Sequence, residues 1–241
     1  MLLFFGNLWY NSANFWKDVL CLKKIKDPVS GFTHLAWAAL SIAGLVLLII
    51  RAATQGEGAW DVVSFTIFGA SLILLYTFSS LYHLCNVGEK ATSVLRKFDH
   101  IMIYILIAGT YTPICLGPIR GGWGWSIFGV VWGIAVLGIF LTIFWKNAPR
   151  WITTSLYLAM GWVVIIAIYP MITSFKAANS FGSLIWLLAG GIFYTVGGVI
   201  YGLKKPNFNN KYFGFHELFH IFVMLGSLCH FWFIYTYVVA I

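Results

Sequence analysis

The segment His216 to His220 reads His-Glu-Leu-Phe-His, two imidazoles one helical turn apart with a glutamate between them. On a helix, a four-residue step separates two side chains by about 40° in azimuth and about 6 Å in rise, so both turn to one point. H-E-x-x-H is also the signature of zinc proteases, in which the glutamate acts as general base and a third ligand comes from elsewhere. The third ligand is not close by. His230 lies ten residues beyond His220, about 15 Å further along the same helix, and cannot share a metal with it. Upstream, Ser79 and His83 repeat the four-residue spacing, and Asp99 stands beside His100. His83 added to His216 and His220 makes three neutral imidazole donors, a set that suits Zn²⁺ and leaves a fourth position open.

What must position these residues follows from composition. The 241 residues are 61% hydrophobic and 9% charged, against about 25% charged in a soluble globule. The chain reads as an all-α membrane protein, because spans of about 20 apolar residues cross a bilayer as helices. Seven such runs occur, at 33–50, 62–83, 99–117, 124–144, 152–171, 183–202 and 216–240. A seven-transmembrane helix bundle over 27–241 accounts for the chain without a soluble domain. Residues 1–26 form a separate segment that lacks the features of a signal peptide. There Phe15, Trp16, Val19 and Leu20 share one helical face beside Lys17 and Asp18, which fits either an interfacial helix or a disordered tail.

Orientation follows from the basic residues. Arg51, Arg120 and Lys176 lie in the loops of one side, and the remaining twelve of the 15 Lys and Arg lie on the N-terminal side. The positive-inside bias predicts a cytoplasmic N-terminus and an extracytoplasmic C-terminus in a multi-pass protein of the plasma membrane. It also explains the net charge of +8 without nucleic acid, since basic loops suit an anionic leaflet. On this topology His83 ends the second span, Asp99 and His100 open the third, His216 and His220 open the seventh and His34 opens the first. Five of six histidines share one leaflet depth, His230 being the exception.

Each candidate has a plainer reading. An intramembrane histidine can simply hydrogen-bond a neighbouring helix, Asp99 can serve as a helix N-cap, and Ser79 can bond back to its own helix. His100 is about 100° from Asp99 in azimuth and reads as structural. His34 reads as a partner of the ligands or an interfacial histidine. The four cysteines show no CxxC spacing and suggest neither a disulfide framework nor a metal cluster. Gly129 and Gly133, and Gly190, Gly191, Gly197 and Gly198, read as surfaces where helices approach closely.

The stretches "DPVSGFTHLAWAAL", "SSLYHL", "RKFDHIMIYILIAGTYTP" and "HELFHIFVMLGSLCHF" together resemble the hemolysin III family, bacterial relatives of the progestin and adipoQ receptors that include the adiponectin receptors. The resemblance runs from Asp27 nearly to the end of the chain. It implies a seven-helix fold with the N-terminus in the cytoplasm and a zinc ion on His83, His216 and His220. It further implies that Asp99 associates with the zinc-bound water, and that Ser79 is the family's serine one turn before the first histidine. An acidic residue usually precedes the first span, and Asp27 fills that place. The residue after the first histidine of the pair need not be glutamate, so Glu217 reads as a bystander and the protease match as coincidental.

Through the wider superfamily, which takes in alkaline ceramidases, the resemblance implies a metal-dependent hydrolase of lipid amide or ester bonds near the cytoplasmic leaflet. Asp99 would orient the water and act as general base, and Ser79 would hold the water or the developing oxyanion by hydrogen bonding, with membrane lipids as substrates. The alternative is a non-enzymatic sensor or regulator in which zinc is structural. A pore-former fits less well, because the apolar spans carry no charged stripe for a channel.

Overall fold

The computed structural model describes residues 25–56, 58–145, 148–206, 208 and 213–238. The expectation of an interfacial helix around Phe15 to Leu20 lies outside them. Among the described residues, seven helices are long and apolar enough to span a membrane: α1 (Pro28–Gln55), α2 (Ala59–Leu84), α3 (Glu89–Leu116), α4 (Gly122–Phe144), α5 (Arg150–Ala177), α6 (Phe181–Leu203) and α7 (Phe215–Val238). No strand occurs among the described residues. Sequential neighbours pack on one another, most extensively α1 on α2, α2 on α3 and α6 on α7, and α1 also meets α7. This last contact brings the first and last spans together.

The largest departure from the sequence reading is α3. Its helix starts at Glu89, ten residues before the apolar run, so the connection from α2 shrinks to residues 85–88. The reason is local amphipathicity: Ala91 and Leu95, one turn apart, are buried while Lys90 and Arg96 face outward. Asp99 is therefore not an N-cap; Gly88 holds that position. α3 is the least apolar span and the most enclosed, with 67% of its spanning stretch buried against 22% for α4. Polar groups are kept out of lipid by this arrangement.

α5 is interrupted by a 3₁₀ segment, Trp162–Ala167. Pro170 accounts for it, since proline has no N–H for the carbonyl of Ile166 and its ring crowds that group. Non-helical backbone at membrane depth needs partners from the protein. Tyr111 of α3 supplies two, donating its hydroxyl to the Gly161 carbonyl at 2.6 Å and accepting the Val164 N–H at 2.8 Å. Close helix approaches are real at Gly190, Gly197 and Gly198, where an added Cβ would lie 2.3, 2.9 and 3.0 Å from His230, Phe222 and Leu158. Gly129 and Gly133 do not behave as expected: nothing lies within 4 Å of a Cβ at either. Both are exposed, on the face of α4 opposite the buried one that carries Ile127, Val131 and Ala135.

Candidate metal centre

The site is assembled from helix ends. His83 lies in the last turn of α2, while His216 and His220 lie on the first two turns of α7. Their ligand nitrogens lie within 4.8 Å of one another. His83 Nε2 and His216 Nε2 are 3.1 Å apart. Two nitrogens each 2.0–2.1 Å from a tetrahedral zinc stand about 3.3 Å apart, so the spacing suits a small tetrahedral ion. His83 and His220 are buried, at 2% and 3% exposure. A metal ligand set needs each imidazole in its neutral form, because only the neutral ring donates a lone pair.

Asp27, just before α1, fixes the tautomer of His83. Its Oδ2 accepts from His83 Nδ1 at 3.0 Å, which leaves Nε2 with its lone pair toward His216. The Asp27 backbone N–H also donates to the His83 carbonyl at 2.9 Å. The hydrogen bond from His83 holds the Asp27 carboxyl below its ordinary range; partial burial pushes the other way, and Lys26, 3.6 Å from Oδ2, adds to the lowering. A carboxylate on the far nitrogen of a metal-binding histidine is a recurrent companion of zinc sites. The residues present therefore fit a three-histidine metal ion.

Glu217 faces elsewhere. Its Oε2 accepts from the Gly214 N–H at 2.8 Å, capping α7, and its Oε1 accepts from Ser30 Oγ at 2.8 Å. With both oxygens engaged, the H-E-x-x-H match is geometrically the wrong half of a zinc protease.

Ser79 and Asp99 line one cavity of about 140 Å³ together with His216 and His220. Asp99 does not join the three-histidine group. His100 also lines the cavity. Its Nε2 lies 3.4 Å from Tyr201 Oη, and its carbonyl accepts from Tyr157 Oη at 3.3 Å. From the histidines the cavity runs along α7 to His230. Fourteen residues of helix make that about 21 Å, and the intervening wall is chiefly apolar, including Leu75, Leu106 and Val223. His230, set apart from the three-histidine cluster as expected, bonds the Leu187 carbonyl at 3.2 Å. Cys85, Cys115 and Cys229 are free thiols.

Sequence reasoning left Asp27 without a role and gave His34 only a general one. The ring of His34 stacks on His220 with centroids 3.8 Å apart and planes 12° apart. A signal was available: Asp27, Ser30 and His34 sit at i, i+3 and i+7, a polar stripe at the head of an apolar helix.

The family model described as Haemolysin-III related matches residues 22–231, which includes every residue of this site. The chain belongs to that family. Among its relatives, the haemolysin-III-related "Hemolysin-3 homolog" of Bacillus subtilis (strain 168) is 42% identical over 218 residues, covering 90% of this chain and 97% of the relative. "Hemolysin-3" of Bacillus cereus is 38% identical over 215 residues, covering 89% and 93%. More distantly, the "Adiponectin receptor protein" of Drosophila melanogaster is 24% identical over 225 residues, covering 83% of this chain and 48% of that one. This haemolysin-III-related chain is a multi-pass membrane protein with a histidine cluster suited to a metal ion.

Proposed function

We propose that this protein is a zinc-dependent hydrolase of amide or ester bonds in membrane lipids. One observation carries the reading: three metal-competent histidines cluster together, and two of them, His216 and His220, line the same apolar-walled cavity as Asp99 and Ser79. His83, His216 and His220 would hold Zn²⁺, which supplies a water activated near neutral pH and polarises a carbonyl. The cavity's apolar wall takes the lipid chain and excludes water from it. Asp99 accepts the proton of the attacking water and returns it to the leaving amine or alcohol as the C–N or C–O bond breaks. Ser79 Oγ donates to the oxygen on which negative charge develops. The charge bias of the loops supports a site at the cytoplasmic leaflet, reached by lipids.

The test compares wild type, Asp99→Asn and His83→Ala for metal content and, by mass spectrometry, for turnover of a panel of lipid amides and esters. Wild type is expected to bind zinc and cleave; His83→Ala to lose both; Asp99→Asn to keep the metal and lose turnover. Full turnover by Asp99→Asn overturns the mechanism. A second reading, a sensor or regulator with a structural metal, draws support from similarity to a protein named as a receptor and from the way the site joins α2 to α7. It predicts that removing zinc lowers thermal stability while no lipid in the panel is cleaved.

A further inference from the structure

Asp27 and the first two turns of α1 that follow it touch the three-histidine cluster and the cap of α7 at three separate points, although α1 contributes no ligand. Asp27 Oδ2 bonds His83 Nδ1 at 3.0 Å, Ser30 Oγ bonds Glu217 Oε1 at 2.8 Å, and the His34 ring stacks on His220 at 3.8 Å. The spacing i, i+3, i+7 places all three on one helical face. Each contact reaches a different part of the H-x-x-x-H and S-x-x-x-H ends, one on α2 and two on α7.

We propose that this face of α1 is the positioning wall of the metal centre, with Asp27 and His34 as positioning residues that set the orientation of His83 and His220. The inference rests on the reading that the three histidines hold a metal, and holds whether that metal is catalytic or structural.

Three observations carry it. First, α1 is fastened at this depth with little freedom to slide: a Cβ on Gly31 would lie 2.4 Å from Leu84, and Ser80 Oγ donates to the Gly31 carbonyl at 3.1 Å. Second, His34 is buried at 3% exposure, and neither ring nitrogen has a hydrogen-bond partner. Its contacts are made by its faces and edges, with His220 on one side and Tyr76 edge-on at 5.0 Å. A ring held this way acts through packing: it limits the rotation of His220 about its side-chain bonds. Third, Ser30 ties α1 to the residue that caps α7, so the azimuth of α7, and with it the direction of both its histidines, is referred to α1.

The division of labour explains the stripe's chemistry. His83 needs a tautomer fixed, which takes a carboxylate. His220 needs a plane fixed, which takes a flat ring. Glu217 needs its carboxylate held, which takes a hydroxyl.

The experiment measures Zn²⁺ affinity of the purified full-length protein by chelator competition, together with the visible spectrum of the Co²⁺-loaded form, which reports ligand geometry independently of turnover. Asp27→Ala is expected to weaken Zn²⁺ binding about 10–100-fold and to alter the Co²⁺ spectrum; Asp27→Asn, which retains an acceptor, is expected to weaken it less. His34→Phe keeps a ring on His220 and is expected to bind and absorb as wild type, whereas His34→Ala is expected to lose about tenfold. Equal loss in His34→Phe and His34→Ala overturns the stacking role. Wild-type affinity and spectra in Asp27→Ala, with His83→Ala unable to bind, overturn the proposal and leave the metal reading standing. Absence of binding by wild type overturns both.

Discussion

Glu217→Gln separates the two meanings of the H-E-x-x-H motif. In the folded protein Glu217 takes one hydrogen bond on each oxygen, from the Gly214 N–H and from Ser30 Oγ, both at 2.8 Å. A glutamine can keep both if its amide oxygen stays on Gly214 and its NH₂ group donates to Ser30, whose hydroxyl accepts as readily as it donates. What is lost is the charge. Exchanging charge-assisted for neutral hydrogen bonds costs about 1 kcal/mol here, and removing a negative charge from the first turn of α7 costs about 0.3–1 kcal/mol more. At about 2–4 °C per kcal/mol for a chain of this size, the melting temperature should fall by about 3–8 °C. Metal content and any lipid turnover should stay near wild type, because neither oxygen faces the cavity chemistry. Differential scanning fluorimetry with metal analysis and the lipid panel measures all three. If Glu217→Gln abolished turnover at unchanged stability and metal content, Glu217 would be the general base and the assignment to Asp99 would be wrong.

Three further outcomes follow from the packing. Stripping the metal with a chelator should lower the melting temperature and re-addition of Zn²⁺ should restore it, since free metal at 100 times its dissociation constant stabilises the folded state by about 2.7 kcal/mol; no change on stripping would show that the histidines hold no metal in the native protein. Gly31→Val should destabilise by about 1–3 kcal/mol through overpacking against Leu84, whose side chain would lie 2.4 Å from the added Cβ; weakened zinc affinity should accompany it because α1 is pushed off α2, and unchanged affinity would contradict the role given to α1. Tyr76→Phe should cost about 0.5–1.5 kcal/mol by removing the bond to Ser227 Oγ, visible in thermal denaturation with zinc affinity unaltered, since Ser227 still has the Met224 carbonyl at 3.0 Å.

The seven spans were legible in the sequence because each is a continuous apolar run, a signal that depends on composition alone. Their ends were less so. α3 begins at Glu89, where charged residues hide the helix from any count of apolar length, and α5 contains a 3₁₀ segment whose proline was visible but whose partner, Tyr111, lies on another helix. The three-histidine cluster could be read because helical spacing is fixed and the topology brings His83, His216 and His220 to one depth. The engagement of Glu217 with Ser30 spans 187 residues, and no local pattern announces it.

The boundary between the two kinds of knowledge is physical. Composition and helical periodicity by themselves determined that the chain crosses the membrane seven times and put His83, His216 and His220 at helix ends on one side of the bundle, because bilayer thickness and helix rise leave little choice. Azimuth and neighbour were decided only by the tertiary structure. Which face of α1 meets the site, which nitrogen of His83 is held by Asp27, and that His100 reaches the same cavity as Asp99 all depend on how helices distant in sequence rotate and pack. A rotation of one residue, about 100°, leaves every span in place and dismantles the site.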